Sequence, residues 1–238
     1  LRTNKGVELT EAGRSLYQQS QHMFQNFRMM VDSVRDVDAG VRGLLKVGVV
    51  YSNTPVVLNY LKAYHKEYPQ VELYIRVGAP GDLHVLFLRT PTEGSSDFHE
   101  KILGEDPLEL VMCPELDPAP DQDSIPIELL KDVPMCLLRS DDLWGYSSHL
   151  INECQRKGFT PNTVCQCYDT PMTMQLVQAG FGISYLPRSI VETHPGSNIY
   201  SKPLVGLPAK SYPTLLWSSN IYYANCVKRF ISMFGYPT

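Results

Sequence analysis

Polar side chains follow several predicted strands, where open α/β sheets bind small molecules. Ser52, Asn53 and Thr54 come directly after the apolar run 44–50 and just before a predicted helix. The free N–H groups and the dipole of that helix start favour an anion such as a carboxylate. Polar residues also follow two later strands: Arg139 and Ser140 after one, and Asp169 and Thr170 after the other. Helix capping explains any one of these sets, but the three together predict a small-molecule cleft.

Catalytic signatures are absent from the sequence. It has no GxSxG nucleophile elbow, no HExxH pair and no Walker A loop, and its six histidines lack metal-ligand spacing. The run Gly78-Ala79-Pro80-Gly81 is not a dinucleotide fingerprint, because Pro80 removes a needed N–H. We therefore predict a binding protein with no cofactor and no metal. An enzyme is the less favoured alternative, since active sites assemble in space from distant residues.

The six cysteines are too few and too scattered for a disulfide scaffold, and no pair has CxxC spacing. Cys165 and Cys167 are expected on one face of a strand, because strand side chains alternate. A redox pair is one interpretation of that spacing. Buried reduced thiols in a cytoplasmic protein are the favoured interpretation.

Composition limits the kind of partner that the chain can bind. Its 238 residues are 43% hydrophobic and 19% charged, so they can bury a core, and the net charge of -4 argues against a surface that grips nucleic acid throughout. Any such contact must be local. Arg2 and Lys5 flank a predicted turn that suits either the tip of a DNA-binding wing or a solvated loop. No apolar run is long enough to span a bilayer.

A long helix with an apolar seam is predicted near the amino terminus. Thr10 suits its N-cap and Gly40 its end. Apolar residues recur at steps of three and four, as in a coiled coil: Leu16, Met23, Phe27, Met30, Val34, Val37 and Val41. This length favours a partner helix in a homodimer over packing within one domain.

The remaining pattern predicts an α/β fold. An apolar strand at 44–50 is followed by a helix that starts near Pro55 and stops before Pro69, and then by the alternating strand 71–77. This βαβ unit implies a parallel sheet. Residues 81–88 are predicted to begin another helix. The alternation continues to the end of the chain, so we expect two α/β lobes.

Five segments, in order along the chain, resemble motifs of the LysR-type transcriptional regulators. Leu1 to Gly13 resembles the end of that family's winged helix-turn-helix with its LTxAG signature. The others resemble its GxLxIG strand, its LxxFxxxYPxV helix, its GFxP turn and its LVxAGxGIxxLP segment: Gly43 to Gly48, Leu58 to Val71, Gly158 to Pro161 and Leu176 to Pro187. The last match is the most specific.

The resemblance implies a two-lobed effector domain like a periplasmic binding protein, preceded by a coiled-coil linker helix. The implied boundaries are a wing end at 1–9, a linker and dimerisation helix at 10–42, and an effector domain at 43–238. Lobe I is expected at 44–111 with 205–238, lobe II at 114–203, and the crossing strands near 112–115 and 202–204. The start at Leu1, without Met, indicates a segment of a longer chain.

The resemblance also implies a ligand-responsive, DNA-binding regulator of bacterial type that works in the cytoplasm. Its small-molecule effector is expected between the lobes: beside Ser52, Asn53, Thr54, Thr90, Arg139, Ser140 and Thr170. Arg2 and Lys5 are the expected DNA-contacting wing residues, and most of the DNA-binding domain is absent from these residues. A homodimer through the linker helix, and a tetramer of two such dimers, are expected. A stand-alone solute-binding protein is the alternative.

One departure from the family pattern leads to a further expectation. The family has LxxGxxDxxI after the helix that follows Gly81, and that stretch ends in a strand. Here Leu88 runs directly into Arg89-Thr90-Pro91. We therefore expect a missing strand and an omitted stretch near Leu88 to Arg89.

Overall fold

The chain folds into helices and strands that alternate over most of its length. The computed structural model describes residues 2–3, 6–7, 9–35, 41–77, 83–90, 97–139, 146–194, 198–207, 209–219, 221 and 223–236. The first elements are β1 (Arg2–Thr3), β2 (Gly6–Val7), α1 (Glu11–Arg35), β3 (Gly43–Val49), α2 (Thr54–Glu67), β4 (Val71–Val77), β5 (Val85–Thr90), β6 (Phe98–Ile102) and β7 (Asp106–Met112). The later elements are β8 (Ile125–Pro126), β9 (Pro134–Leu138), α3 (Tyr146–Arg156), β10 (Asn162–Cys167), α4 (Thr170–Gln178), β11 (Ser184–Pro187), α5 (Arg188–Glu192), β12 (Tyr200–Val205), β13 (Lys210–Ser218) and α6 (Asn225–Ser232).

Helix α1 begins where the sequence predicts. The backbone N–H of Gly13 donates to Thr10 Oγ1 at 3.0 Å, so Thr10 caps the helix. Apolar side chains of the predicted seam are more than half exposed: Leu16, Met23, Phe27 and Met30. Before the helix, β1 pairs antiparallel with β2. Lys5 and the end of the linker at residues 36–40 lie outside the described residues, as does the side chain of Arg2.

Lobe I is built around the predicted βαβ unit. Strand β3 pairs in parallel with β4 from Gly43 to Val49, and α2 connects them. Buried side chains of β3, α2, β4, β5, β13 and α6 form its core, with Tyr64 and Phe230 among the largest. Tyr64 Oη donates to the carbonyl of Cys226 at 2.6 Å, which ties α2 to α6. The core therefore joins two parts of the chain that are distant in sequence.

The helix predicted at 81–88 is wrong, because the structure has strand β5 at Val85–Thr90. This strand is parallel to β3 and antiparallel to β13. Val85 and Phe87 are buried in the core of lobe I, and a short apolar run of this kind does not distinguish strand from helix by periodicity. Strand β5 includes Leu88 and Arg89, so the expectation of a missing strand at that point is also wrong. The expectation of an omitted stretch there stays a prediction.

One sheet of nine strands passes from lobe I into lobe II, in the order β4-β3-β5-β13-β7-β12-β8, with β6 on β13 and β11 on β7. Strand β7 makes the passage. Its first residues, Asp106 and Pro107, pair with β13, and residues 108–112 pair with β11 and β12. The side chains of Leu108, Leu110 and Met112 pack in a second core with Ile125 and Met135 of lobe II.

Lobe II is completed by β9 and β10, which pair in parallel, and by helices α3 and α4. A buried ion pair ties its return strand β12 to the loop after β7. Lys202 Nζ and Tyr200 Oη each donate to Asp117 Oδ2 at 2.5 Å. Burial raises the pKa of Asp117, but these hydrogen bonds outweigh burial and hold the pKa below its ordinary value.

The contact between β9 and the start of β11 supplies a test of this packing. A Cβ at Gly182 would lie 2.7 Å from the carbonyl oxygen of Pro134, which accepts the N–H of Ile183 at 2.8 Å. Gly182→Ala must therefore displace backbone that joins two strands. We expect it to lower the free energy of unfolding by about 1–3 kcal/mol in urea denaturation.

The matched control is Gly104→Ala, because a Cβ at Gly104 meets no atom within 4 Å. Its effect on the free energy of unfolding should stay within about 0.5 kcal/mol. Equal stability of the two variants would contradict the close approach at Gly182.

Candidate ligand-binding cleft

The predicted polar segment after β3 lies where the two lobes meet. Residues Tyr51–Asn53 form a short 3-10 turn, and α2 begins at Thr54. Ser52 and Asn53 are buried, at 8% and 0% exposure. Asn53 Nδ2 donates to the carbonyl of Leu88 at 2.5 Å, whereas its buried Oδ1 has no partner. The Asn53 side chain accepts no hydrogen bond from the first turn of α2. The Thr54 N–H donates instead to the Tyr51 carbonyl of the preceding turn.

A buried ion pair holds this turn against the passage between the lobes. The guanidinium of Arg89 is 3% exposed, and its Nη1 lies 2.7 Å from Asp106 Oδ2. Arg89 also donates to the carbonyl of Ser52 at 2.6 Å, to Ser211 Oγ at 2.8 Å and to Ser189 Oγ at 3.1 Å. The side chain of Arg89 therefore connects β5, β7, β13, α5 and the 51–53 turn.

Sequence reasoning missed this group. Arg89 and Asp106 stand at the ends of strands β5 and β7, and the only signal for them is a charged residue next to an apolar run. Because Asp106 neutralises Arg89, this guanidinium is not an unmatched cation for a ligand. Its Nε is nevertheless buried without a partner, which leaves one donor unsatisfied at the junction.

The predicted residues of lobe II lie at the ends of β9 and β10. The N–H of Arg139 donates to the carbonyl of Cys167 at 2.6 Å, and the Arg139 guanidinium lies 5.6 Å from the centre of the Tyr168 ring. Arg139 is exposed and Thr170 is buried. Ser140 lies outside the described residues, as does the side chain of Thr90.

Helix α4 differs from α2 at its start, because its first turn is capped. Asp169 Oδ1 accepts the N–H of Met172 at 2.8 Å. A carboxylate of the protein therefore occupies the place where an anion would bind. Thr173 Oγ1 adds a hydrogen bond to the Asp169 carbonyl at 2.8 Å. The capping interpretation of the sequence is therefore confirmed for Asp169, whereas Thr170 is the first residue of the helix and does not cap it.

The structure brings part of the predicted site together. Helix α4 contacts the 51–53 turn across the lobes. A cavity of about 200 Å³ lies between the start of α2 and α5, which is smaller than the roughly 300–1,000 Å³ typical of ligand pockets. Its lining includes Thr54 but neither Arg139 nor Thr170: Tyr51, Thr54, Pro55, Leu58, Ile190, Thr193 and His194.

Neither a metal site nor a helix that could span a membrane is present among the described residues. Within the described parts of the chain, no three His, Cys, Asp or Glu side chains come together as a metal site requires. None of the described helices is both long and apolar enough to cross a membrane.

Comparison with known proteins identifies the class to which this architecture belongs. Residues 38–235 match the family described as the LysR substrate binding domain. The chain is 24% identical to the HTH-type transcriptional regulator BsdA of Bacillus subtilis (strain 168), over 97% of this chain and 82% of that protein. It is also 24% identical to the HTH-type transcriptional regulator BudR of Raoultella terrigena, over 98% of this chain and 83% of that protein.

The fold is similar to that of solved regulators. The crystal structure of CbnR, a LysR family transcriptional regulator, has a TM-score of 0.70 at 17% identity and covers 96% of this chain and 81% of that one. The chain belongs to the LysR family of transcriptional regulators. The predicted family, the two-lobed α/β fold and a ligand-responsive regulatory function are thereby confirmed, and the enzyme alternative is set aside.

The Arg89–Asp106 pair generates a prediction about the junction between the lobes. Arg89→Met leaves the carboxylate of Asp106 buried without its counter-charge. Loss of one partner of a buried pair costs about 3–5 kcal/mol, so we expect a decrease of that size in the free energy of unfolding, measured in urea at neutral pH.

Lys210→Met is the matched control, because the Lys210–Glu105 pair is close by but more than half exposed. This variant should unfold at the same urea concentration as the unsubstituted chain. An equally small effect of Arg89→Met would show that the buried pair does not hold the junction.

Proposed function

We propose that this regulator senses a small anionic metabolite, and that the anion binds at the start of α2. The observation that carries the proposal is the difference between two helix starts. The first turn of α4 is capped by Asp169, whereas the N-cap residue of α2, Asn53, does not cap its helix. The Thr54 N–H donates to the Tyr51 carbonyl and Pro55 has no N–H, so what α2 offers a carboxylate is chiefly the positive end of its dipole, with no carboxylate of the described residues in place there.

Arg139 is the proposed counter-charge in lobe II. No carboxylate among the described residues forms an ion pair with it. The face of Tyr168 lies beside its guanidinium, which limits the orientations of this planar group. A planar guanidinium can bind a carboxylate through two parallel hydrogen bonds. Thr54 and the buried Thr170 are proposed neutral contacts, and Ser52, Asn53, Thr90 and Ser140 complete the proposed set.

In the proposed regulatory step, one ligand contacts both the start of α2 and Arg139. A ligand between α2 of lobe I and Arg139 of lobe II contacts both lobes, and it binds more tightly to the arrangement that brings both contacts together. Ligand binding therefore shifts the population towards that arrangement. The coupling is typically about 1–3 kcal/mol, enough to change the geometry of an attached DNA-binding domain. We place this regulator in the cytoplasm, where its DNA target lies.

Calorimetry against a panel of small carboxylates, amines and neutral compounds tests the proposal. We expect binding by one or more carboxylates. Arg139→Gln should weaken that binding by about ten- to a hundredfold, because a charge-assisted hydrogen bond is lost.

The control is Arg156→Gln, which removes an exposed arginine near the end of α3. Its affinity for the carboxylate should equal that of the unsubstituted chain. Binding of cations or apolar compounds alone would contradict the anion proposal.

We also propose that α1 is the dimer interface and that two such dimers form a tetramer. Met23 and Phe27 are one helical turn apart on α1, and they are 62% and 58% exposed. Burying such side chains against a second copy is favourable by about 1.5–3 kcal/mol each. In this arrangement, DNA is contacted mainly by the amino-terminal domain, with Arg2 and Lys5 at its wing.

Sedimentation of two charge-matched double variants tests this interface. Met23→Glu with Phe27→Glu should raise the dimer dissociation constant by about a hundredfold or more. Ser15→Glu with Gln19→Glu adds the same charge at the same spacing on exposed polar positions and should leave the dimer intact. The same mass for both variants would contradict the interface.

A further inference from the structure

Two cysteines of β10 lie next to each other in lobe II. Cys165 Sγ and Cys167 Sγ are 3.7 Å apart on the same face of the strand. The pairing of β10 with β9 is irregular between Thr163 and Cys165. The function proposed above uses neither thiol.

We propose that Cys165 and Cys167 are a modification site that reacts with a low-molecular-weight disulfide and closes into a reversible intrastrand disulfide. Alternate residues of a strand are about 6.6 Å apart. That spacing is at the upper end of the Cα separation of about 4.4–6.8 Å that a disulfide spans. A bond at this limit is readily reduced, which is the behaviour of labile and regulatory disulfides.

The difference in exposure between the two thiols sets the order of the steps. Cys165 is partly exposed, whereas Cys167 is 7% exposed. The Cys165 thiolate attacks one sulfur of the small disulfide, forms a mixed disulfide and releases one small thiol. Cys167 then loses its proton and its sulfur attacks Cys165 Sγ, which releases the second small thiol. The protein loses two electrons and two protons, and the small disulfide leaves as two thiols.

Two other thiols, Cys136 and Cys154, are less accessible to a small disulfide than Cys165. Cys136 pairs with Cys165 across the two strands, but it is fully buried. Burial and the neighbouring thiols raise its pKa to about 11, so little thiolate forms near neutral pH. Cys154 is also fully buried, and burial raises its pKa to about 11. These two residues serve as internal controls.

The two cysteines lie on β10 beside β9, and Cys167 pairs with Leu138, the residue before Arg139. The Cys167 carbonyl accepts the Arg139 N–H at 2.6 Å, and Tyr168, which faces the Arg139 guanidinium, is the next residue. Drawing the two sulfurs together displaces the Cys167 backbone and weakens that hydrogen bond. Disulfide formation therefore alters the backbone hydrogen bond at the end of β9, whether or not a ligand binds there.

The test uses the full chain, first reduced and then equilibrated in buffers of increasing oxidised-to-reduced glutathione ratio. Free thiols are alkylated under denaturing conditions, counted, and mapped by mass spectrometry. We expect the count to fall from six to four, with the lost pair in the peptide that contains Cys165 and Cys167. Dithiothreitol should restore all six. Hydrogen exchange at the Arg139 amide should be faster in the oxidised protein.

Three variants distinguish the attacking thiol, Cys165, from the resolving thiol, Cys167. Cys167→Ser should stop at the mixed disulfide with glutathione on Cys165, because the resolving thiol is absent. Cys165→Ser should keep its thiols reduced. Cys154→Ser should still lose two thiols. The proposal is overturned if all six thiols survive in oxidised glutathione, if the bond includes Cys136, or if glutathione stays attached to the unsubstituted protein.

Discussion

Charge burial at the junction of the lobes is the constraint on which the rest of this structure depends. Arg89 and Asp106 are both nearly removed from water, and neither remains there without the other, because an unpaired buried charge costs several kcal/mol. The pair lies at the start of β7, where the sheet leaves lobe I. The hydrogen bonds of Arg89 to the Ser52 carbonyl and to Ser189 extend this constraint to the 51–53 turn and to α5. The turn that begins α2 is therefore held by the same contact that joins the lobes.

The sequence predicts the helices and strands that depend on residues close to them in the chain. The cap at Thr10 and the unit β3–α2–β4 depend on side chains and breakers within a few residues, and they appear as expected. Strand β5 is different, because its partners β3 and β13 lie far away in sequence and an apolar run of that length suits either structure. Sequence reasoning failed there because pairing with distant strands determines the conformation.

The helix starts that the sequence selects as candidate ligand contacts are present in the structure, but whether each is capped was not predictable. Ser52–Thr54 and Thr170 both lie between a strand and a helix. Both are selected from the sequence because open α/β sheets bind ligands at such positions. In the structure, the two positions differ in the residue before the helix. Asp169 caps α4, whereas the Asn53 amide donates to the Leu88 carbonyl. Arg89 was missed because its four partners come from distant segments. The fold brings these distant residues together, so no motif or fixed spacing in the sequence indicates the contact.

The discontinuity of lobe I has a consequence for the order in which the protein forms during synthesis. Tyr64 donates its hydrogen bond to Cys226, 162 residues later, and β5 needs β13 as its neighbour. The buried core of lobe II comes from one continuous stretch between β7 and Leu207, just after β12. On the ribosome, the amino-terminal end emerges first. The segments β3, α2 and β4 cannot complete their packing until β13 and α6 have been synthesised. We therefore expect the lobe that is synthesised first to be the last to be completed.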